Sequence, residues 1–453
     1  VSHKPLRFLT QESILLLSIF KWVILASLIG LIVGTATAVF LFLLEHAVQL
    51  TAQFEWYYLG LPIVMAFCIW IVRAIAPEAE GHGTEKVIRA VHQSNGKMRV
   101  RIVPIKLMTT ILTIMFGGSA GKEGPSAQIG AALASGFAQL FHFTPEDRKK
   151  LVICGISAGF TAVLGTPIAG AIFGVEVLFM GKLLYSVLLP SFISGMMSFQ
   201  VASALGVEYH YHIIPFQQSF DAVFYIFTGF AGVFFGLLSV FTITVLNFFE
   251  DFSNRLKLVR PLKAFLAGAV IAGFALIFST DYLGMGLSTI DHALLGGHIV
   301  WYAALLKILM TALTLGFGGS GGVLTPLFFI GATAGSAFAM FFGLDPAVFA
   351  AFGLVSMLAG AANTPLAACI LAVELFGPAI TPYATIACVI SFFMSGYYSI
   401  FPSQVLSMQK TGAMPPDKGH EVEGADYYIN YNARRRIVSG LQIVKKFFRS
   451  FNI

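Results

Sequence analysis

Long apolar runs alternate with short polar punctuation along nearly the whole chain. Residues 14–50 are apolar apart from Lys21 near the start and Glu45 and His46 near the end. That run exceeds the roughly 20 residues needed to span a bilayer, which predicts a strongly tilted helix. Further spans are predicted over 57–76, and then up to about Phe116 after the basic run Lys97, Arg99, Arg101 and Lys106. Residues 127–140 read as a helix. Residues 151–180 are apolar but broken at Gly165-Thr166-Pro167, which predicts two short helices in place of one span. An apolar segment over 184–205 closes the first half. The second half opens with 222–249, followed by a predicted charged loop carrying Glu250, Asp251, Arg255, Lys257, Arg260 and Lys263. Apolar segments then run to Tyr398, broken again at 318–326 and at Asn363-Thr364-Pro365.

This pattern divides the chain into an N-terminal stretch 1–12, a first membrane repeat 13–207, a polar loop 208–221, a second membrane repeat 222–406 and a tail 407–453. The tail is polar over 409–431. Beyond that, Arg434, Arg435, Arg436, Lys445, Lys446 and Arg449 alternate with Ile437, Leu441, Val444, Phe447, Phe448 and Phe451. Such a segment suits a membrane surface, or it stays a partly disordered basic tail. The first apolar run is far too long for the core of a cleavable leader.

Composition agrees with a polytopic membrane protein. Of the 453 residues, 57% are hydrophobic and 11% charged, against about 25% charged in soluble domains. The net charge of +6 reads as positive loops next to a bilayer, not as a nucleic-acid face on a soluble domain. The basic cluster Arg148-Lys149-Lys150 places its loop on the cytoplasmic side by the same rule. Cys68, Cys154, Cys369 and Cys388 lie in apolar segments without metal-ligand spacing and read as small buried hydrophobes. No cluster of Cys, His or acidic residues implies a metal or cofactor.

The two halves repeat one another. Gly117-Gly118-Ser119 recurs as Gly318-Gly319-Ser320, with Pro125 and Pro326 each eight residues after the first glycine. Ile129-Gly130-Ala131 recurs as Ile330-Gly331-Ala332, and Thr166-Pro167 as Thr364-Pro365, each Pro followed nine residues later by Glu176 or Glu374. Paired halves with broken helices at matching places point to a transporter or channel with its site between them, near the midplane.

One position breaks the symmetry. Glu123 in Gly121-Lys122-Glu123-Gly124-Pro125 is matched by Leu324. An ionised carboxylate at membrane depth costs roughly 2.5–3.5 kcal/mol on insertion scales, so it is a functional-site candidate. Pro125 suits a first helical turn, which places Glu123 where backbone N–H groups and the helix dipole favour anions. Ionised, Glu123 would compete with a permeant anion; protonated, it would vacate the site. Like charges close together favour the protonated carboxyl, so anion and proton occupancy would be linked.

These motifs resemble those of the CLC family of anion channels and anion/proton exchangers, over nearly the whole chain to about Leu406. Gly121-Lys122-Glu123-Gly124-Pro125 matches the family's G-[KR]-E-G-P, whose Glu is the outer gate. Gly322-Val323-Leu324-Thr325-Pro326 stands for G-x-F-x-P, and Gly81-His82-Gly83-Thr84-Glu85 for G-S-G-x-P, with His82 replacing the serine and Glu85 the proline. The family's inner tyrosine falls on Phe401. The resemblance implies an all-α membrane bundle of many tilted and broken helices from two inverted repeats. It implies a homodimer with one pathway per subunit, both termini cytoplasmic, in a prokaryotic plasma membrane. The implied anion site comprises His82, Gly83, Thr84, Gly124, Val323, Leu324, Thr325 and Phe401, with Lys122 as vestibule charge.

The implied function is transport of small anions (chloride, with fluoride, bromide and nitrate as further candidates) across the lipid bilayer. Two modes stand. The inner glutamate of proton-coupled members falls on Val177, next to Glu176, which favours a passive channel. Flanks such as 117–121 and Glu374-Leu375-Phe376-Gly377 resemble the family's fluoride/proton exchangers, which also lack that glutamate, and favour a proton-coupled antiporter. A proton path would run by Glu176 and Val177, although the repeat gives Glu176 and Glu374 a shared structural role. A third reading comes from Gly117-Gly118-Ser119-Ala120-Gly121, which fits the G-x-S-x-G pattern of serine hydrolases. An inert scaffold is disfavoured by Glu123 itself.

Overall fold

A computed structural model describes residues 4–209, 211–214, 222–416 and 418–424. The first half runs α1 (Lys4–Ala52), α2 (Leu61–Ile75), α3 (Gly83–Gln93), α4 (Ile102–Met115), α5 (Glu123–Leu140), α6 (Pro145–Leu164), α7 (Pro167–Glu176) and α8 (Tyr185–Ala204). The second runs α9 (Ala222–Arg255), α10 (Arg260–Ile277), α11 (Leu287–Leu294), α12 (Ala303–Gly316), α13 (Leu324–Phe342), α14 (Pro346–Ala362), α15 (Pro365–Phe376) and α16 (Thr381–Met394). Each helix of one half thus has a counterpart in the other. Two short parallel strands, β1 (Phe179–Met180) and β2 (Val405–Leu406), join the ends of the two halves.

Helix breaks arise where the sequence removes or redirects backbone donors. Pro167 and Pro365 open α7 and α15 without an N–H to lose. The residues that close the preceding helices, Gly165 (φ +72°) and Asn363 (φ +55°), adopt the left-handed conformation that ends a helix.

The repeat becomes a set of reciprocal contacts, the pattern a two-fold relation generates. Ser119 N donates to Thr314 Oγ1 at 3.0 Å, and Ser320 N to Thr113 Oγ1 at 3.1 Å. Glu374 accepts from Ile168 N and Ala169 N, capping α7; Glu176 accepts from Leu366 N and Ala367 N, capping α15. Each half therefore supplies the carboxylate that satisfies the other half's exposed helix donors. Close helix crossings repeat as well. A Cβ on Gly130 would lie 2.3 Å from Gly155 O, and one on Gly331 would lie 2.2 Å from Gly353 O.

Among the described residues, six helices are long and apolar enough to cross a membrane, α1, α8, α9, α10 and α13 among them. The most apolar stretch of α13 is 78% buried within the protein, against 28% for α1. The packed centre is accordingly α5, α6, α13 and α14, and the outer helices turn large apolar side chains such as Leu17, Phe20, Ile63 and Phe230 outward. A bilayer is the solvent that suits such a face.

The charged loop expected after residue 249 is shorter than the sequence suggests. Helix α9 carries Glu250, Asp251 and Arg255 as its last turns, and Lys263 lies buried on α10, donating to Ser253 O. The helix continues because its polar end faces a cavity while its opposite face still packs. The basic segment 434–451 lies outside the described residues.

Candidate functional site

Three helix starts converge at the centre, held by backbone contacts only glycine permits. Gly121 N and Gly322 N each donate to the other's carbonyl at 2.7 Å. His82, just before α3, pairs with Gly321 in a parallel bridge. A Cβ on Gly83 would lie 2.4 Å from Gly124 O, and one on Gly124 would lie 3.0 Å from Gly322 Cα. The first turns of α3, α5 and α13 therefore meet as closely as backbones can. Aligned helix N-termini and their free N–H groups make such a point attractive to anions.

Glu123 opens α5 and is 1% exposed. Its Oε2 accepts from Thr325 Oγ1 at 2.6 Å and from Thr325 N at 3.1 Å, so the carboxylate caps α13 across the repeat. Leu324 is buried beside it, at the first position of α13. Thr84, in the first turn of α3, is 1% exposed, and its hydroxyl lacks a protein partner; so does His82 Nδ1. Unsatisfied buried polar atoms at converging helix starts are the chemistry expected where a small polar guest binds. Lys122 stands half-buried at the start of α5.

A cavity of about 580 Å³ leads up to this point. His82, Glu85, Lys86, Val323, Ile400 and Pro402 are in its wall, with Glu250 and Asp251 facing them from α9. Lys122 is not part of that wall, so any field it exerts acts from the side of Glu123. Phe401 lies behind the cavity wall, wholly buried, its ring centroid 6.1 Å from that of His82. The structure thus gathers His82, Gly83, Thr84, Glu123, Gly124, Val323, Leu324, Thr325 and Phe401 around one point.

Val177 closes α7. Its carbonyl accepts from Gln404 Nε2 at 2.8 Å, as does that of Ala362. Glu176 is committed to the cap of α15. Ser119 is buried, its hydroxyl shared with Thr311 Oγ1 at 2.9 Å, between α4 and α5. The G-x-S-x-G match therefore lacks the strand-turn-helix setting that gives it meaning. Among the described residues, no group of three or more His, Cys, Asp or Glu side chains could hold a metal.

Several contributors went unrecognised in the sequence. Lys106, which reads as one of a basic run, is wholly buried and donates to Gly81 O at 2.6 Å and Ala79 O at 3.3 Å, bracing the approach to α3. Its repeat partner Lys307 holds Tyr282 O and Gly284 O in the same way. Both lysines precede their Gly-Gly-Ser motif by eleven residues, a signal that was present. Glu85 and Ser403 bond directly across 318 residues, for which the sequence carries no local sign.

Residues 64–396 match the family model for voltage-gated chloride channels. The chain belongs to this CLC family. It is 36% identical over 399 residues to the chloride/fluoride channel protein of Pseudomonas syringae pv. tomato, covering 86% of this chain and 88% of that one. It is 29% identical to the voltage-gated ClC-type chloride channel ClcB of Escherichia coli, over 66% of this chain and 74% of ClcB. Among solved structures, it resembles a CLC-type fluoride/proton antiporter with a TM-score of 0.82 and 27% identity, covering 86% of this chain and 98% of that one. A slow cyanobacterial Cl−/H+ antiporter shares the fold, with a TM-score of 0.72 at 20% identity, over 83% and 94% of the two chains. The chain is an all-α membrane protein of anion transport, built as the CLC bundle of two related repeats.

Proposed function

We propose that this CLC protein is a proton-coupled antiporter of small anions, with fluoride as well as chloride among its substrates. The observation that carries the reading is the Glu123 carboxylate bonded to Thr325 at the start of α13. A carboxylate is an anion of suitable size, so it occupies the position a permeant anion would take. Protonation neutralises it and frees the amides, and anion entry then requires a proton on Glu123. His82, Gly83, Thr84, Gly124, Val323 and Leu324 form the rest of the site, with Phe401 as its apolar inner wall and Lys122 as charge on the gate side.

The relatives support the coupled mode over the passive channel favoured on Val177 alone. One similar structure carries the name fluoride/proton antiporter and one similar sequence the name chloride/fluoride channel protein. The passive mode keeps one specific argument, the apolar side chain at Val177. On the coupled reading Glu123 alone carries the proton, and neither Glu176 nor Val177 takes part. A prokaryotic inner membrane, a homodimer with one pathway per subunit, cytoplasmic termini and repeat boundaries at 13–207 and 222–406 complete the proposal.

Purified protein in liposomes tests it. Anion efflux and internal pH are recorded together at fixed membrane potential, first with fluoride and then with chloride. Uphill proton movement driven by an anion gradient is expected. Anion efflux without proton movement would establish the channel and make Val177 the reason.

A further inference from the structure

Glu85 stands where related motifs carry a proline, and it is 5% exposed in the wall of the cavity. Its Oε2 accepts from Ser403 N at 3.2 Å, and its Oε1 accepts from Ser403 Oγ and from Arg89 Nη2, the latter at 3.3 Å. Arg89 Nε donates in turn to Ser403 Oγ at 3.1 Å. A proline could make none of these bonds.

Ser403 belongs to the turn that carries Phe401. That turn is closed on itself, with Phe401 N donating to Ser399 Oγ and Gln404 N to Phe401 O, each at 3.0 Å. On one side Gln404 fastens it to Val177 O and Ala362 O, and Ile400 N to Ala361 O. On the other side, among the described residues, Glu85 and Arg89 hold it to α3 through Ser403. Glu85 lies one and two residues beyond Thr84 and Gly83. The group that makes the cradle on α3 and the wall on the Phe401 turn are thus tied by one buried carboxylate. Phe401 has no hydroxyl with which to hold its own position.

We propose that Glu85 is a positioning residue that sets the anion specificity of the site by fixing the Phe401 turn against the His82–Gly83–Thr84 cradle. The carboxylate touches no permeating anion. It limits the opening between an apolar ring and a row of backbone donors, and a fixed opening favours the smallest anion over larger ones. Release of the turn would let the ring retreat and admit larger anions.

The proposal rests on the anion site above but not on proton coupling, and the experiment separates the two. Fluoride and chloride efflux from proteoliposomes are measured with ion-selective electrodes, alongside internal pH. A wild type that moves anions without protons removes the coupling and leaves the chloride-to-fluoride ratio as readout; a wild type that moves no anion overturns both. Glu85→Ala is expected to raise that ratio on the order of tenfold. Ser403→Ala is expected to raise it less, in the same direction. Glu85→Gln keeps the wild-type ratio, because its amide can accept from Ser403 N and donate to Ser403 Oγ. An unchanged ratio in a monodisperse Glu85→Ala protein overturns the proposal, as does a Glu85→Gln ratio as altered as that of alanine. If Glu85→Ala does not fold, Ser403→Ala decides: a raised ratio upholds the latch and an unchanged one removes it.

Discussion

The carboxylate of Glu123 ends on the hydroxyl of Thr325, 2.6 Å away across the two repeats. The bond joins the only acidic position of the paired Gly-Gly-Ser motifs to the helix start that carries leucine in its place. Scaffold symmetry does not require it, because Leu324 serves the equivalent position without any charge. Glu176 and Glu374, by contrast, form a matched cross-repeat pair. A group that breaks the symmetry of a repeat at its centre is the one on which the proposed ion role rests.

Glu123→Gln keeps the shape of that side chain and removes its capacity to bind a transferable proton. Proton movement in the liposome assay is expected to fall to the leak of empty vesicles. The pH dependence of anion flux should disappear with it, because an amide neither gains nor loses charge. Wild-type pH dependence in this variant would sink the gating role.

Glu176 and Glu374 make the same bonds in opposite directions, and they differ in burial. Glu176 is 4% exposed, whereas Glu374 is half-buried. Removing either leaves two helix N–H groups without an acceptor, and each unsatisfied buried donor costs about 1–3 kcal/mol. Water can reach the donors near Glu374 more readily. Glu176→Ala should therefore lower the temperature of unfolding in detergent more than Glu374→Ala. Neither Glu176→Gln nor Glu374→Gln should alter the proton-to-anion ratio. A changed ratio in Glu176→Gln would return this residue to the proton path.

Most of the scaffold was legible because it is written in local signals. Pro167 and Pro365 mark helix starts wherever they occur, and the spaced Gly-Gly-Ser motifs revealed the repeat. Glu123 was legible because a charge inside an apolar stretch has few structural excuses. The reach of α9 through Glu250 and Asp251 was not, since polar residues in a last helical turn look like a loop until the cavity they face is known. The burial of Lys106 was hidden by its basic neighbours, and its partners are carbonyls, which every residue carries. The bond from Glu85 to Ser403 depends on the two ends of the membrane region meeting, and no window of sequence contains both.

Gly83 tests how tightly the three helix starts must meet. A Cβ there would lie 2.4 Å from Gly124 O and 2.9 Å from Gln128 Cβ. Neither neighbour is the free end of a flexible side chain, so α3 must move away from α5. Gly83→Ala is expected to reduce anion flux by at least an order of magnitude, since misplacement by about 1 Å at a positioned site costs on the order of 100-fold. The elution profile on size exclusion should change little. Near-normal flux would show that α3 does not contribute amides to the anion.

Lys106 and Lys307 form an internal control for electrostatics. Each is wholly buried and braces two carbonyls just before a short helix, Lys106 before α3 and Lys307 before α11. Substitution by methionine removes charge and donors while keeping much of the volume. Both variants should lose stability by similar amounts, because each orphans a pair of carbonyls. Of these two helices only α3 is part of the proposed anion site, so on that proposal only Lys106 places its charge behind the cradle. A nearby buried charge acts on an anion at the level of ~1–2 kcal/mol, which corresponds to roughly a five- to thirtyfold change in affinity. Lys106→Met should raise the anion concentration for half-maximal flux by that factor, and Lys307→Met should leave it near wild type. Equal shifts in both variants would mean that loosened loops, and not charge, account for the loss.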